Sequence, residues 1–238
     1  MGSEIQIGDM TVQVVYKDIK HIHLSVHPPA GAVRIASPLR MDLETLRVFA
    51  VTKLAWIRQQ QQRLQGQVRQ TPREFIDRES HYVWGKRYLL RVEEHVAPAV
   101  IELQHSTLVL HVRPGTPTSQ RDELLDGWYR QQVRAEVDTL LARWQPTLGV
   151  AASHYGVRRM KTKWGTCNTQ SRSLLFNSEL AKKPAICLEY IVVHELVHLL
   201  EPSHNARFVA LMDRFMPGWR SHRDELNRLP VRHEEWGY

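Results

Sequence analysis

Residues 191–200 read Ile191-Val192-Val193-His194-Glu195-Leu196-Val197-His198-Leu199-Leu200. Side chains four apart on a helix share one face, so the imidazoles of His194 and His198 can reach a single ion. Zinc takes such nitrogens at about 2.0–2.1 Å. Glu195 sits one position round from the first histidine, where it can accept a proton from water without ligating the metal, the role of a general base. The apolar flanks make this helix largely buried. Two histidines and a glutamate buried there without a shared partner cost several kcal/mol, and a bound cation relieves that cost.

A catalytic zinc site takes three protein ligands and keeps one position open for water. His204 is the natural third ligand, because Pro202 ends the helix and lets the chain turn back. Glu201, three residues after His198, competes for that place, with His222 and His154 behind it. The chemistry is that of one Zn²⁺ ion held by His194, His198 and His204, with Glu195 activating water.

Upstream lies a basic segment. Between His154 and Lys183 there are seven cations, Arg158, Arg159, Lys161, Lys163, Arg172, Lys182 and Lys183, against the single acid Glu179. Such a cluster is either a solvated face or a docking place for phosphate. Arg158, Lys161, Lys163 and Arg172 are also the candidates to stabilise an oxyanion. Trp164 is a candidate to line the site, and Leu174 to Asn177 a candidate edge strand for an extended substrate. Cys167 reads as a packed thiol rather than a nucleophile.

Positioning these residues calls for an α+β fold, with a β-rich N-terminal region packed with a zincin-like helical catalytic region that bears the metal-binding helix. Strands are expected at Glu4–Ile7, Thr11–Tyr16, His21–Val26 and Ala32–Ala36, then at Tyr82–Trp84, Tyr88–Val92, Val100–Leu103 and Thr107–Val112, all in one twisted sheet. Asp42 caps an amphipathic helix running to about Leu64. Pro114-Gly115-Thr116-Pro117 is the strongest punctuation and marks the expected boundary between a 1–115 subdomain and a 116–238 catalytic region. Ser119 and Asp122 suggest a capping box for a long helix with the stripe Leu125, Tyr129, Val133, Val137, Leu140 and Trp144. An irregular segment from Gly156 to Ser173, a strand at Leu174–Phe176 and helices near 184–201 and 205–215 complete the reading.

Composition sets outer limits. A chain of 238 residues, 42% hydrophobic, can bury a core without staples. Its apolar stretches are shorter than the roughly 20 residues that span a bilayer, and its two cysteines, Cys167 and Cys187, make no disulfide framework. The expectation is a cytoplasmic protein without a membrane partner.

The block His194-Glu195-Leu196-Val197-His198-Leu199-Leu200-Glu201-Pro202-Ser203-His204-Asn205-Ala206-Arg207-Phe208 resembles the YgjP-like metal-dependent hydrolases. So do Lys163-Trp164-Gly165-Thr166-Cys167, with Thr166 where the family has serine, and Leu175-Phe176-Asn177. These hydrolases are described as zinc metallopeptidases related to the SprT-like zincins. The resemblance implies His194, His198 and His204 as ligands and Glu195 as the catalytic carboxylate. It implies a peptide or protein substrate. Activity toward UTP assigned within the family keeps a nucleotide substrate as the alternative, and the SprT-like kinship keeps proximity to nucleic acid as a third.

Overall fold

A computed structural model describes residues 3–27, 31–65, 74–160 and 163–228, with side chains except at 63–65. The class is α+β, as expected. The chain divides into two compact units, one within residues 1–71 and one within 72–229. Pro114 to Pro117 therefore lies inside the second unit, as the link between a strand and a helix. The strands before it bury their apolar side in the same core as the helices after it, which keeps the two together.

In the first unit β1 (Ser3–Ile7), β2 (Met10–Lys17), β3 (His23–His27) and β4 (Ala32–Pro38) form a sheet in the order β1-β2-β4-β3. Alternation sends Val12 and Val14 of β2 and Val33 and Ile35 of β4 into one core, and Thr11, Gln13 and Arg34 outward. The expected single helix is two, α1 (Leu43–Thr52) and α2 (Leu54–Gln65). Asp42 caps α1 by accepting the Thr45 N–H at 2.8 Å. The chain leaves helical geometry at Lys53, and the break lets Leu46 and Ala50 of α1 and Ile57 of α2 share that core.

The second unit opens with another sheet rather than a continuation of the first. Its strands are β5 (Ser80–Val83), β6 (Lys86–Glu94), β7 (Val100–Leu103) and β8 (Thr107–Val112), in the order β5-β6-β8-β7. In both sheets the second strand pairs with the fourth in parallel and the outer pairs are antiparallel, so one topology occurs twice. Two short sheets each bury one face on their own helices, which a single eight-stranded sheet does not need. After β8 comes α3 (Thr118–Leu148), which buries Leu125, Tyr129, Val133, Val137 and Leu140 as the stripe predicts. Its first turn follows Pro117 and has no side-chain cap, so the Ser119–Asp122 capping box does not form.

The segment expected to be irregular contains β9 (His154–Arg158) and β10 (Gly165–Asn168), which join β11 (Ser173–Asn177) in a three-stranded sheet ordered β10-β11-β9. A short 3-10 turn (Ser178–Lys182) leads to α4 (Ala185–Val197), α5 (Ala206–Phe215) and α6 (Trp219–Arg228), the last not foreseen from the sequence. The hairpin joining β5 and β6 is docked on the start of α4. Its Trp84 N–H donates to the Ala181 carbonyl at 2.7 Å, and Gly85, at φ +80°, lies so close to Pro184 that an added Cβ comes within 3.0 Å of it. No helix among the described residues is long and apolar enough to cross a membrane.

Among the described residues the cations of this segment do not form a continuous face. Lys182 is buried with its ammonium 2.6 Å from Glu179 and 4.8 Å from the centre of the Tyr129 ring. Lys183 is buried too, 5.7 Å from the centre of the Trp164 ring. Arg159 pairs with Asp126 at 2.7 Å and Asp122 at 3.6 Å, and Arg172 donates to the Ala151 carbonyl at 2.8 Å. Lys161 lies outside the described residues, and Arg158 and Lys163 are exposed.

Burial pushes the Lys183 ammonium down from 10.5 to about 8, more than Glu179 pulls it back. Between pH 8 and 10.5 the unfolded chain holds a proton there that the folded chain has released, so stability rises with pH across that window. Lys183→Met is expected to raise the chemical-denaturation midpoint at pH 7 and to flatten the rise between pH 8 and 10. An unchanged pH profile in the variant contradicts this assignment.

Candidate metal centre and catalytic glutamate

Pro184 is the N-cap of helix α4, where its missing N–H has no helical partner to lose. Its sides are almost wholly apolar, with Cys187, Leu188, Ile191, Val192, Val193, Leu196 and Val197 buried. Its last turn carries His194 and Glu195, and the helix closes at His198, whose N–H reaches the His194 carbonyl at 3.3 Å. The chain then reverses through Pro202. Asn205 caps α5 by accepting the Phe208 N–H at 3.1 Å, which leaves His204 just ahead of the cap with its ring folded back on α4.

The three rings converge. Nε2 of His204 is 3.0 Å from Nε2 of His194, and one nitrogen from each of His194, His198 and His204 lies within 4.8 Å of the others. The competing third ligand, Glu201, serves differently. Its carbonyl accepts from His198 Nδ1 at 3.1 Å, and its carboxylate accepts the Ser203 N–H at 3.2 Å. With Nδ1 so engaged, His198 presents Nε2 to the cluster, the arrangement that orients metal-bound imidazoles. His154 bonds to the Ser153 hydroxyl at 3.2 Å, and His222 lies against Gly218 on α6.

The donor set suits a cation. Burial pushes His194 down to about 3, helped by its two neighbouring histidines, and burial also holds His198 below its ordinary value. Both rings are therefore neutral at pH 7 with lone pairs to give. At 3.0 Å the Nε2 atoms of His194 and His204 have room for at most one proton between them, and a divalent ion satisfies all three rings together. His194 Nδ1 is buried without a hydrogen-bond partner among the described residues, and the His194 and Tyr190 rings pack edge to face with 5.8 Å between centroids.

Glu195 is only 5% exposed. Burial pushes its carboxyl up to about 8, with the Lys163 ammonium pulling the other way. The β10 backbone crosses directly over it at Gly165. A Cβ there would come within 2.6 Å of Glu195 Oε1 and 2.8 Å of Ile191 Cγ2, so only glycine lets strand and helix approach this closely.

The other expected site residues divide. Asn177 is nearly fully buried, and its side chain is used by the fold. It donates to the carbonyls of Met160 at 2.8 Å and Lys163 at 2.9 Å and accepts the N–H groups of Met160 and Glu179, at 3.2 and 3.1 Å. Asn177 thereby pins the segment that carries Lys163, Trp164 and Gly165. Trp164 packs against the main core. Lys163 acts on the site through its charge on Glu195, Arg172 is held at the β10–β11 turn, and Arg158 is exposed at the end of β9. Leu174 to Asn177 belongs to β11, the middle strand of its sheet, so the edge beside α4 is β10. Sequence reasoning assigned no role to Gly165 or Phe208. Their signals were a glycine inside a strand and an aromatic four residues beyond a histidine.

Gly165→Ala is expected to displace the Glu195 carboxylate and lower hydrolytic turnover by roughly 10²-fold, the scale of an ångström-sized misplacement, while bound metal stays at one equivalent. Turnover counts set beside elemental analysis check this, and a fully active alanine variant contradicts it.

Comparison with the curated proteins finds no significant match. Among solved structures the chain is similar to two metallopeptidase zymogens. One is Pyrococcus abyssi abylysin, at 21% identity and a TM-score of 0.36, covering 40% of this chain and 99% of that one. The other is Methanocaldococcus jannaschii jannalysin, at 16% identity and a TM-score of 0.35, covering 38% and 87%. The YgjP-like, metallopeptidase domain family matches residues 20–229, a span that takes in every element from β3 to α6. The chain belongs to that family and is by membership a metallopeptidase-type hydrolase.

Proposed function

We propose that this protein is a zinc-dependent peptidase in which His194, His198 and His204 hold the ion and Glu195 is the general base. The observation that carries the reading is the convergence of three imidazoles beside the buried side chain of Glu195. Zinc is the ion that an all-imidazole set of three ligands with one open position suits best. When bound, it supplies Lewis acidity that polarises a carbonyl and makes water easier to deprotonate. Glu195 then takes the proton of the attacking water on a carboxylate oxygen and passes it to the leaving amine.

The substrate class follows from the surroundings. Among the described residues Gly165–Asn168 is paired on one side only, to β11, so an extended peptide can add to its other side next to α4 through main-chain hydrogen bonds. A nucleotide needs a cluster of available cations. Lys182, Lys183, Arg159 and Arg172 are engaged elsewhere, which favours the peptide over the phosphoanhydride.

Purified protein is expected to carry one zinc per chain and to cleave casein. Glu195→Gln is expected to retain the metal and lose roughly 10²–10⁴-fold in turnover, the range for removing a general base. Wild type and variant are assayed in parallel on nucleoside triphosphates. Turnover confined to the nucleotides overturns the peptidase reading, and loss of zinc in the glutamine variant overturns the assignment of Glu195 as a non-ligand.

A further inference from the structure

The cluster contains a fourth ring that donates nothing. The Phe208 ring centroid is 4.9 Å from that of His194, 4.7 Å from that of His198 and 4.7 Å from that of His204. The imidazole centroids are themselves 4.9, 5.0 and 4.6 Å apart, so the four rings sit at the corners of a nearly regular tetrahedron. Phe208 is 2% exposed and His204 is exposed, so the phenyl ring covers the inward side of the histidine triangle and leaves the solvent side free.

We propose that Phe208 is a positioning residue that sets the spacing of the three ligand rings and confines access to the ion to the opposite side. The inference rests on the metal-site reading above.

Three observations support it. Each imidazole touches the same phenyl ring, so none can rotate or slide inward without displacing it, and packed interiors resist such displacement. Phe208 is also tied to the third ligand through the backbone, since the Asn205 cap that receives its N–H directly follows His204. Finally, a phenyl ring offers no lone pair. A histidine, cysteine or carboxylate at this position would stand as close to the cluster as the ligands do and could make a fourth bond, turning an open site into a closed structural one. The hydrophobic wall around a metal governs solvent access and ligand geometry in this way.

The test uses the full chain with Phe208→Leu, Phe208→Ala and, as a control for lost packing alone, Met212→Ala. Met212 is fully buried one turn further along α5 and takes no part in the ring cluster. Zinc affinity is read by competition with a chromophoric chelator, ligand geometry by the visible absorption of the Co²⁺-loaded protein, and folding by thermal melting. Phe208→Leu is expected to weaken zinc binding by roughly 10–100-fold, the usual effect of removing support behind metal ligands, and to shift the cobalt bands. Phe208→Ala is expected to do more. Met212→Ala is expected to lower the melting temperature while its zinc affinity and cobalt spectrum stay those of wild type. Leucine variant and wild type with equal affinity and equal spectra overturn this inference alone, as does a Met212 variant that weakens zinc as much as Phe208→Leu. Wild type that takes up no zinc overturns the metal-site reading and this inference with it.

Discussion

The structure is organised around a desolvation problem on one helix. His194 and Glu195 are drawn out of water by the same apolar packing that makes α4 the centre of the second unit, and His198 is half-buried beside them. Desolvation penalises charge of either sign, which is why the imidazoles are driven neutral while the carboxyl holds its proton to higher pH. Neutral imidazoles with free lone pairs form a ligand set, and a proton-seeking carboxylate next to them makes a base. Burial alone favours the protonated form of Glu195 near neutral pH, so the charge of a bound ion and that of Lys163 would be what returns it to the carboxylate a base requires.

The rest of the second unit serves the precision of this arrangement. Strand β10 covers Glu195, Asn177 fixes the segment leading into that strand, and the β5–β6 hairpin rests on the start of α4. Glu201, which by spacing alone competes as a ligand, orients His198 through its carbonyl. The buried Glu179–Lys182 pair lies in the turn just before α4, where its charges are neutralised within the fold.

Much of this was legible in the chain. The spacing of His194 and His198, the proline that frees His204 to return and the strands on either side of Gly8 and Gly85 all follow from local rules, and the structure has them. What was not legible depends on tertiary partners. Period-two alternation says that Leu90 and Val12 face a core, but not that they face different cores, so one sheet was expected where there are two. Charge counting cannot see that Lys182 and Lys183 turn inward, because a lysine stem is apolar enough to be buried when a carboxylate or an aromatic face receives its head. Asn177 was expected at the substrate as the end of an edge strand, whereas its four hydrogen bonds to backbone are invisible without coordinates.

The division of the ligands between a helix end and the loop after it has its own consequence. Two of the three nitrogens sit one turn apart on α4, but the third arrives only when Asn205 has started the next helix and the loop has folded back. An unfolded chain must gather three separated donors at an entropic cost, the completed fold presents them already converged, and a ligand that prefers the folded form shifts the folding equilibrium toward it as its free concentration rises. With the ion bound as proposed, the standing amount of intact protein becomes a readout of how much zinc its surroundings can spare.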